Sequence, residues 1–385
     1  MGLILRGGTV LHHTRLETGS LRSDDGRVTA IGADLPERVG DVVIDVSDCY
    51  VLPGFVDLHT HGLRDAMPQT GGWLRYAAYQ AELGVTACVP TLFAAPEVIV
   101  AAVRTGLEET DRFSRTPNLL GVRLEFPYVA KTGAGLASAL APISDRTTLA
   151  LFEAGEGFIR IWDVSPELEE AIPFIEWATR QGIVTSMAHT AATVEQARRA
   201  VDAGVTLVTH LFDTFDVPVM TDPGVFPAGL TDYILVEDRL TAEIIPDGVH
   251  VHPLLMEKTL RCKGAGRVAF VTDSVLGAGS PAGVYDGLYA GVQVEVTLDN
   301  GVRRIPDGGL SGSAMTQLRS FQNAVFRWGQ SIPDASMLCS ATPARVLGLR
   351  HKGYLAVGMD ADVVVLDRAL NLKMTIIQGK IAYRA

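Results

Sequence analysis

A chain of 385 residues is too long for one small domain and about right for a barrel of roughly 250 residues plus an appendage. With 47% hydrophobic residues it can bury a large core. Its formal net charge of -11, with Lys and Arg scattered, argues against a nucleic-acid or anionic-membrane partner, since either needs a basic patch. The opening run MGLILRGGTVLHH is too short and too interrupted for a signal peptide, and no stretch reaches the length of a membrane span. Residues 1–52 read as short strands, with a hairpin turn expected at Asp24-Asp25-Gly26. The stretch 345–385 has the same texture. Neither end alone buries a core, so the two are expected to pair into one small β-sandwich.

Between them, over 53–344, apolar runs ending in polar residues alternate with helical patterns. The runs are FVDLHTH (55–61), VTACVPT (85–91), LLGVRLE (119–125), FIRIWDV (158–164), IVTSMAH (183–189), TLVTH (206–210), LTAEIIPDG (240–248) and RVAFVTD (267–273). Helices are expected over 167–182 and 193–204, each closed by a glycine. Eight strands with intervening helices predict an α/β fold, a (β/α)8 barrel of the TIM type. The four cysteines, Cys49, Cys88, Cys262 and Cys339, show no CxxC spacing, which fits free thiols in a reducing, cytoplasmic setting.

Such a barrel carries its chemistry at the C-terminal ends of its strands, and that is where the metal-type side chains fall. His59 and His61 close the first strand. Two residues apart in an extended chain, they face the same side. Glu125 closes the third strand, His189 the fifth, His210 the sixth and Asp273 the eighth. Four imidazoles and two carboxylates suit zinc or a similar divalent ion. A lone histidine is more often hydrogen-bonded than a ligand, and His12, His13 and His351 are read that way. Asp57 suits a carboxylate that orients one of the HTH imidazoles.

GFVDLHTHG resembles the opening signature of the amidohydrolase superfamily. The later motifs resemble its N-acetylglucosamine-6-phosphate deacetylase branch: RLEFP (123–127), AHT (188–190), THLFDTF (209–215), DGVHVHP (247–253), VTDSVLGAG (271–279) and LSGSAMT (310–316). The resemblance implies one or two divalent ions, Zn2+ by preference. Glu125, His189 and His210 would hold the first, and His59 and His61 a second. It implies that Asp273 takes a proton from the attacking water and returns it to the leaving amine, so that the amide of an N-acyl amine is cleaved. A small-molecule substrate and a homodimer follow from the same resemblance.

At the substrate-facing positions this chain departs from the branch. Phe126-Pro127 stands for Gly-Pro, Gly135 for a histidine, Asp213-Thr214 for Asn-Ala, and Thr221 for an arginine that meets phosphate from a partner subunit. His250 is kept. These changes remove a charge-assisted phosphate contact and add a carboxylate, pointing to an N-acyl amine that is unphosphorylated or differently decorated. A cyclic-amide hydrolase is a second reading, but the fourth strand ends in Arg160-Ile161-Trp162-Asp163 without the lysine that reading needs. A deaminase is a third, disfavoured by the Glu125 motif. A non-catalytic barrel scaffold is the reading from another class.

Overall fold

A computed structural model describes residues 2–220, 222–287, 293–297, 301–305 and 308–385. The chain opens with strands Leu3–His12 (β1), Arg15–Asp24 (β2), Arg27–Gly32 (β3), Val42–Asp45 (β4) and Cys49–Pro53 (β5). Between β2 and β3, Asp25 and Gly26 have φ of 49° and 78°. Two successive positive φ values make the two-residue hairpin turn whose twist matches the strands it joins.

The barrel strands are Phe55–Thr60 (β6), Val85–Leu92 (β7), Val122–Leu124 (β8), Ile159–Val164 (β9), Val184–Met187 (β10), Leu207–Val208 (β11), Thr241–Ile244 (β12) and Val268–Phe270 (β13). They lie side by side in chain order, all parallel. The ring closes where Thr60 bridges Ser274 and the Asp273 N–H donates to His59 O. Each apolar run of the sequence overlaps one of these strands. Six of the strands stop short of their runs because the polar C-terminal residues leave the ladder and turn into the barrel mouth; β7 runs one residue past its own, and β9 ends with its run at Val164.

The first seven strands are followed by helices Trp73–Glu82 (α1), Pro96–Glu109 (α2), Asp145–Ala154 (α3), Ala171–Arg180 (α4), Val194–Ala203 (α5), Leu230–Val236 (α6) and Pro253–Lys263 (α7). Helix α5 starts on a reciprocal capping box between Thr193 and Gln196. Helix α4 begins at Ala171, four residues later than its apolar pattern suggests. Pro173 is tolerated in a first turn but would break a helix begun at Glu167. Where α1 and α2 meet, Gly106 is required. The Trp73 ring lies 2.6 Å from where a Cβ would stand.

The eighth unit is interrupted, which the alternating pattern does not reveal. Before its helix, Gln317–Phe326 (α8), the chain forms an antiparallel arm of Gly283–Asp286 (β14), Gln293–Val296 (β15), Gly301–Ile305 (β16) and Leu310–Ser313 (β17). The arm returns to the mouth because the Ser313 N–H donates to Asp273 O, and the Val275 N–H donates to Ser313 O.

Strands Val363–Asp367 (β18), Leu372–Ile377 (β19) and Lys380–Arg384 (β20) complete the sheet begun by β1 to β5, in the order β20-β19-β18-β5-β1-β2-β3 with β4 also on β1. Val28 near one edge and Ile376 near the other share one apolar cluster, so this sheet folds over on itself around a core of its own. Another cluster fills the barrel from below: Val56, Leu58, Ala87, Val89, Ile161, Leu207, Ala269 and Val271 are drawn from alternate positions of its strands. Among the described residues no helix is long and apolar enough to cross a membrane, and all four cysteines are free.

Candidate metal centre and its cavity

The six side chains picked out by their strand-end positions converge at the mouth of the barrel, all of them buried. Reaching it takes an unusual backbone: His189, His210 and Asp273 have φ of 46°, 26° and 47°. That left-handed region costs an L-residue about 1 kcal/mol, and it persists where the surroundings over-determine it.

Glu125 divides the histidines into two pairs. Its Oε1 lies 2.8 Å from His189 Nε2 and 3.2 Å from His210 Nε2. Its Oε2 lies 3.2 Å from both His59 Nε2 and His61 Nε2. Asp273 Oδ1 faces the second pair, 3.1 Å from His61 Nε2 and 3.4 Å from His59 Nε2. Donors bonded at about 2.0–2.1 Å to one tetrahedral ion stand about 3.3 Å apart, so this spacing fits. The far side of two rings settles which nitrogen faces inward with a lone pair. His61 Nδ1 lies 3.2 Å from Thr91 O, and His189 Nδ1 lies 3.0 Å from Lys131 O. A carbonyl only accepts, so Nδ1 carries the proton and Nε2 is free to ligate. Donor atoms within 4.8 Å of one another also group as His59–Glu125–His210, His59–His61–Asp273 and His210–Asp213–Asp273.

The electrostatics of this cluster call for a cation. Burial pushes the Glu125 carboxyl up, but His59, His189 and His210 outweigh it and hold it well below the usual carboxylate range. Burial likewise opposes ionisation of Asp273, and His59 and His61 bring it down to about 2. Burial disfavours the imidazolium forms, yet Asp273 and Glu125 lift His61 to about 9, and Glu125 and Asp213 lift His210 to about 10. Two buried carboxylates thus hold positive charge among them, and a divalent ion meets that demand without the protons.

Above the cluster opens a cavity of about 230 Å³, lined by His61, Glu125, His189, His210 and Asp273 and also by Phe93, Asp213, Thr214 and His250. Among the described residues that line it there is no Lys or Arg. Asp213 is half-buried, and Thr214 takes φ of 63°. His250 is fixed from behind, its Nδ1 2.7 Å from Asp247 Oδ2, while Asp247 also accepts the backbone N–H groups of residues 249 and 250. Phe126 is not on this wall. It is fully buried behind Phe93, ring centroids 4.0 Å apart, and Phe93 presents the ring to the cavity. Gly133 passes so close that a Cβ there would meet His189 Cε1 at 2.8 Å. Thr221 lies outside the described residues. A larger cleft of about 350 Å³, between α3 and α4, carries none of these groups.

Asp57 does not orient an imidazole. Its carboxylate accepts from Thr272 Oγ1 at 2.7 Å and from the N–H groups of His59 and Thr272 at 3.3 Å, tying β6 to the segment after β13. The sequence reading passed over three buried charges beneath the mouth: Arg123 on β8, Asp163 on β9 and Glu243 on β12. Phe93 and Asp247 escaped it as well. Asp247 had a signal, the Asp-Gly-x-His motif it opens.

Residues 50–382 match the amidohydrolase family profile. The chain is 31% identical to an N-acetylglucosamine-6-phosphate deacetylase of Vibrio furnissii, covering 99% of this chain and 95% of that protein. It is also 31% identical to an N-acetylgalactosamine-6-phosphate deacetylase of Escherichia coli, covering 95% of each. Among solved structures, an N-acetyl-D-glucosamine-6-phosphate deacetylase from Mycobacterium smegmatis superposes with a TM-score of 0.87 over 100% of both chains, at 29% identity.

Proposed function

Because this chain belongs to the amidohydrolase family and is an enzyme that cleaves amide bonds, we propose that it removes the acyl group, acetyl by preference, from an N-acyl amino sugar or related amine that carries no phosphate. The relatives named above act on 6-phosphorylated sugars. The observation that carries the departure is the cavity wall read together with Thr221: a dianionic phosphate needs cationic donors, the described lining residues of this chain include Asp213 and no Lys or Arg, and Thr221 stands where a partner subunit would contribute an arginine. Asp213 then accepts from a hydroxyl or ammonium group of the substrate, His250 meets a second polar group, and Phe93 packs on an apolar face.

In this reading Glu125, His189 and His210 would hold one divalent ion, and His59 and His61 would help to hold another. Zn2+ would suit that set of donors best. The chemistry such an ion would supply is polarisation of the amide carbonyl and acidification of water. Asp273, ionised and facing the His59–His61 pair, accepts the proton of the attacking water and passes it to the amine nitrogen as the C–N bond breaks. Its left-handed backbone and the Ser313 N–H on its carbonyl keep the carboxyl in place between the two steps. The carboxylated lysine of a cyclic-amide hydrolase has no counterpart, since Asp163 at the end of β9 is occupied by Arg123.

We assign this chemistry to residues 53–344 and a structural role to 1–52 and 345–385, in a cytoplasmic homodimer. The segment that follows Thr214, itself on the cavity wall, supports the dimer: Val217, Val219, Met220 and Phe226 are exposed apolar side chains, Phe226 at 93%. Large apolar side chains left exposed suit a surface that a partner covers. Light scattering that gives a monomer at micromolar concentration would remove the dimer from this reading. The substrate is tested by assaying N-acetylglucosamine and its 6-phosphate side by side. Turnover of the phosphorylated sugar far above the free one would refute the shift in substrate.

A further inference from the structure

We infer that Glu243, clamped by Arg123, is the positioning residue that makes His59 a metal ligand through Nε2. The inference rests on the two-ion reading above and adds the residues that build its second site. Glu243 and Arg123 are fully buried, inside the barrel and below the mouth. All five guanidinium donors of Arg123 find acceptors. Nε and Nη2 meet Asp163 at 3.2 and 3.0 Å, Nη2 also meets Thr209 Oγ1 at 2.8 Å, and Nη1 meets Leu58 O at 3.1 Å and Glu243 Oε1 at 2.6 Å. Five bonds to four different strands and their ends leave the guanidinium one position, and Glu243 is fixed with it.

That clamp uses only one oxygen of Glu243. The other, Oε2, has no hydrogen-bond partner, and it lies 3.5 Å from His59 Nδ1, which has none either. An orphaned acceptor and an orphaned donor, both cut off from water, face each other a few tenths of an ångström beyond hydrogen-bond distance. A self-contained ion pair would leave neither. The charges agree: one guanidinium between two carboxylates leaves an excess of negative charge, and Glu243 turns it toward an imidazole N–H. With the proton held on Nδ1, the lone pair of His59 sits on Nε2, which faces Glu125, His61 and Asp273. His61 and His189 are held the same way by carbonyl oxygens. His59 is backed by a carboxylate, which makes its ring the more basic donor.

Glu243→Gln tests this. The amide keeps the shape and still accepts from Arg123, but it turns an NH2 toward His59 Nδ1. Two donors face each other, and the ring shifts its proton to Nε2, where it cannot ligate. We expect the variant to keep the ion at Glu125, His189 and His210 and to hold the ion at His59 and His61 about 10–100-fold more weakly. The measurement is chelator competition, with thermal melting as the check on folding. The second measurement needs no variant: long-range 1H–15N spectra of 15N-histidine-labelled protein, with His59→Asn to assign the ring. The expected result is a proton on His59 Nδ1. A folded Glu243→Gln protein that binds both ions with parental affinity, or a parent spectrum with the proton on Nε2, overturns the inference. A parent that binds a single ion, unchanged by His59→Ala, overturns the two-ion reading together with it.

Discussion

Gly312 on β17 gives a direct way to ask whether Asp273 does the proton transfer from a fixed position. Its φ is 59°, and a Cβ added there would stand 2.6 Å from Asp273 O and 2.7 Å from Val275 Cγ1. An unstrained C···O contact needs about 3.3 Å, so Gly312→Ala must push the Asp273 backbone by roughly 0.7 Å or distort the arm by as much. A displacement near 1 Å of a reacting group costs about 10²-fold in rate, so kcat should fall on the order of 10- to 100-fold. The left-handed φ itself costs an alanine about 1 kcal/mol of stability. Gly308, in the same arm, is the control. Its φ is 72° and nothing lies within 4 Å of its added Cβ, so Gly308→Ala meets the same backbone penalty without touching Asp273. The assay is acetate release from the preferred N-acetyl amine, with urea unfolding of all three proteins in parallel. The reasoning fails if Gly312→Ala keeps more than half the parental kcat, or if Gly308→Ala loses as much.

Three further substitutions separate the roles assigned above. Asp273→Asn should lower kcat about 10²- to 10⁴-fold while elemental analysis still finds an ion at the Glu125 pair; a loss under tenfold would leave Asp273 without a part in proton transfer. Glu125→Ala removes the one group shared by both histidine pairs, so metal content should drop to a small fraction of an equivalent, and a variant that still copurifies with a full equivalent would contradict the division of its oxygens. Arg123→Met strands Asp163 and Glu243 as buried charges without a counterion, and chemical denaturation should show a loss of about 3–5 kcal/mol. A loss below 1 kcal/mol would mean that the two carboxylates are not both ionised in the folded protein.

Much of this architecture was legible from the chain, and the reasons are physical. A barrel strand buried on both faces reads as an apolar run, and a polar side chain that faces the mouth has to follow it directly, so His59, Glu125, His189, His210 and Asp273 stood out against apolar neighbours. The inside of the barrel was not legible in the same way. Arg123, Asp163 and Glu243 sit on three different strands, and only the closed ring brings them within reach of one another; in sequence each is a charge inside an apolar run with none of the others nearby. Phe126 was misjudged because a residue next to a ligand need not share its face, and the wall it seemed to occupy belongs to Phe93, from another strand end. The arm of β14 to β17 escaped because it interrupts the alternation from which the barrel was inferred.

The sheet shared by the two halves of the chain sets the order in which the protein can assemble. Val363 on β18 sits opposite Pro53 on β5, so β5, paired on one side with β1, lacks its second neighbour until nearly the whole chain has been made. During synthesis, at about 5–20 residues per second, β5 therefore waits some tens of seconds with an open edge and half of an apolar core uncovered. Pairing over such a span is slow because loop closure precedes any contact that rewards it. The metal-binding barrel between these strands can close meanwhile, which places the aggregation-sensitive interval of this enzyme at its terminal sheet and makes β18 to β20 the segment whose arrival ends it.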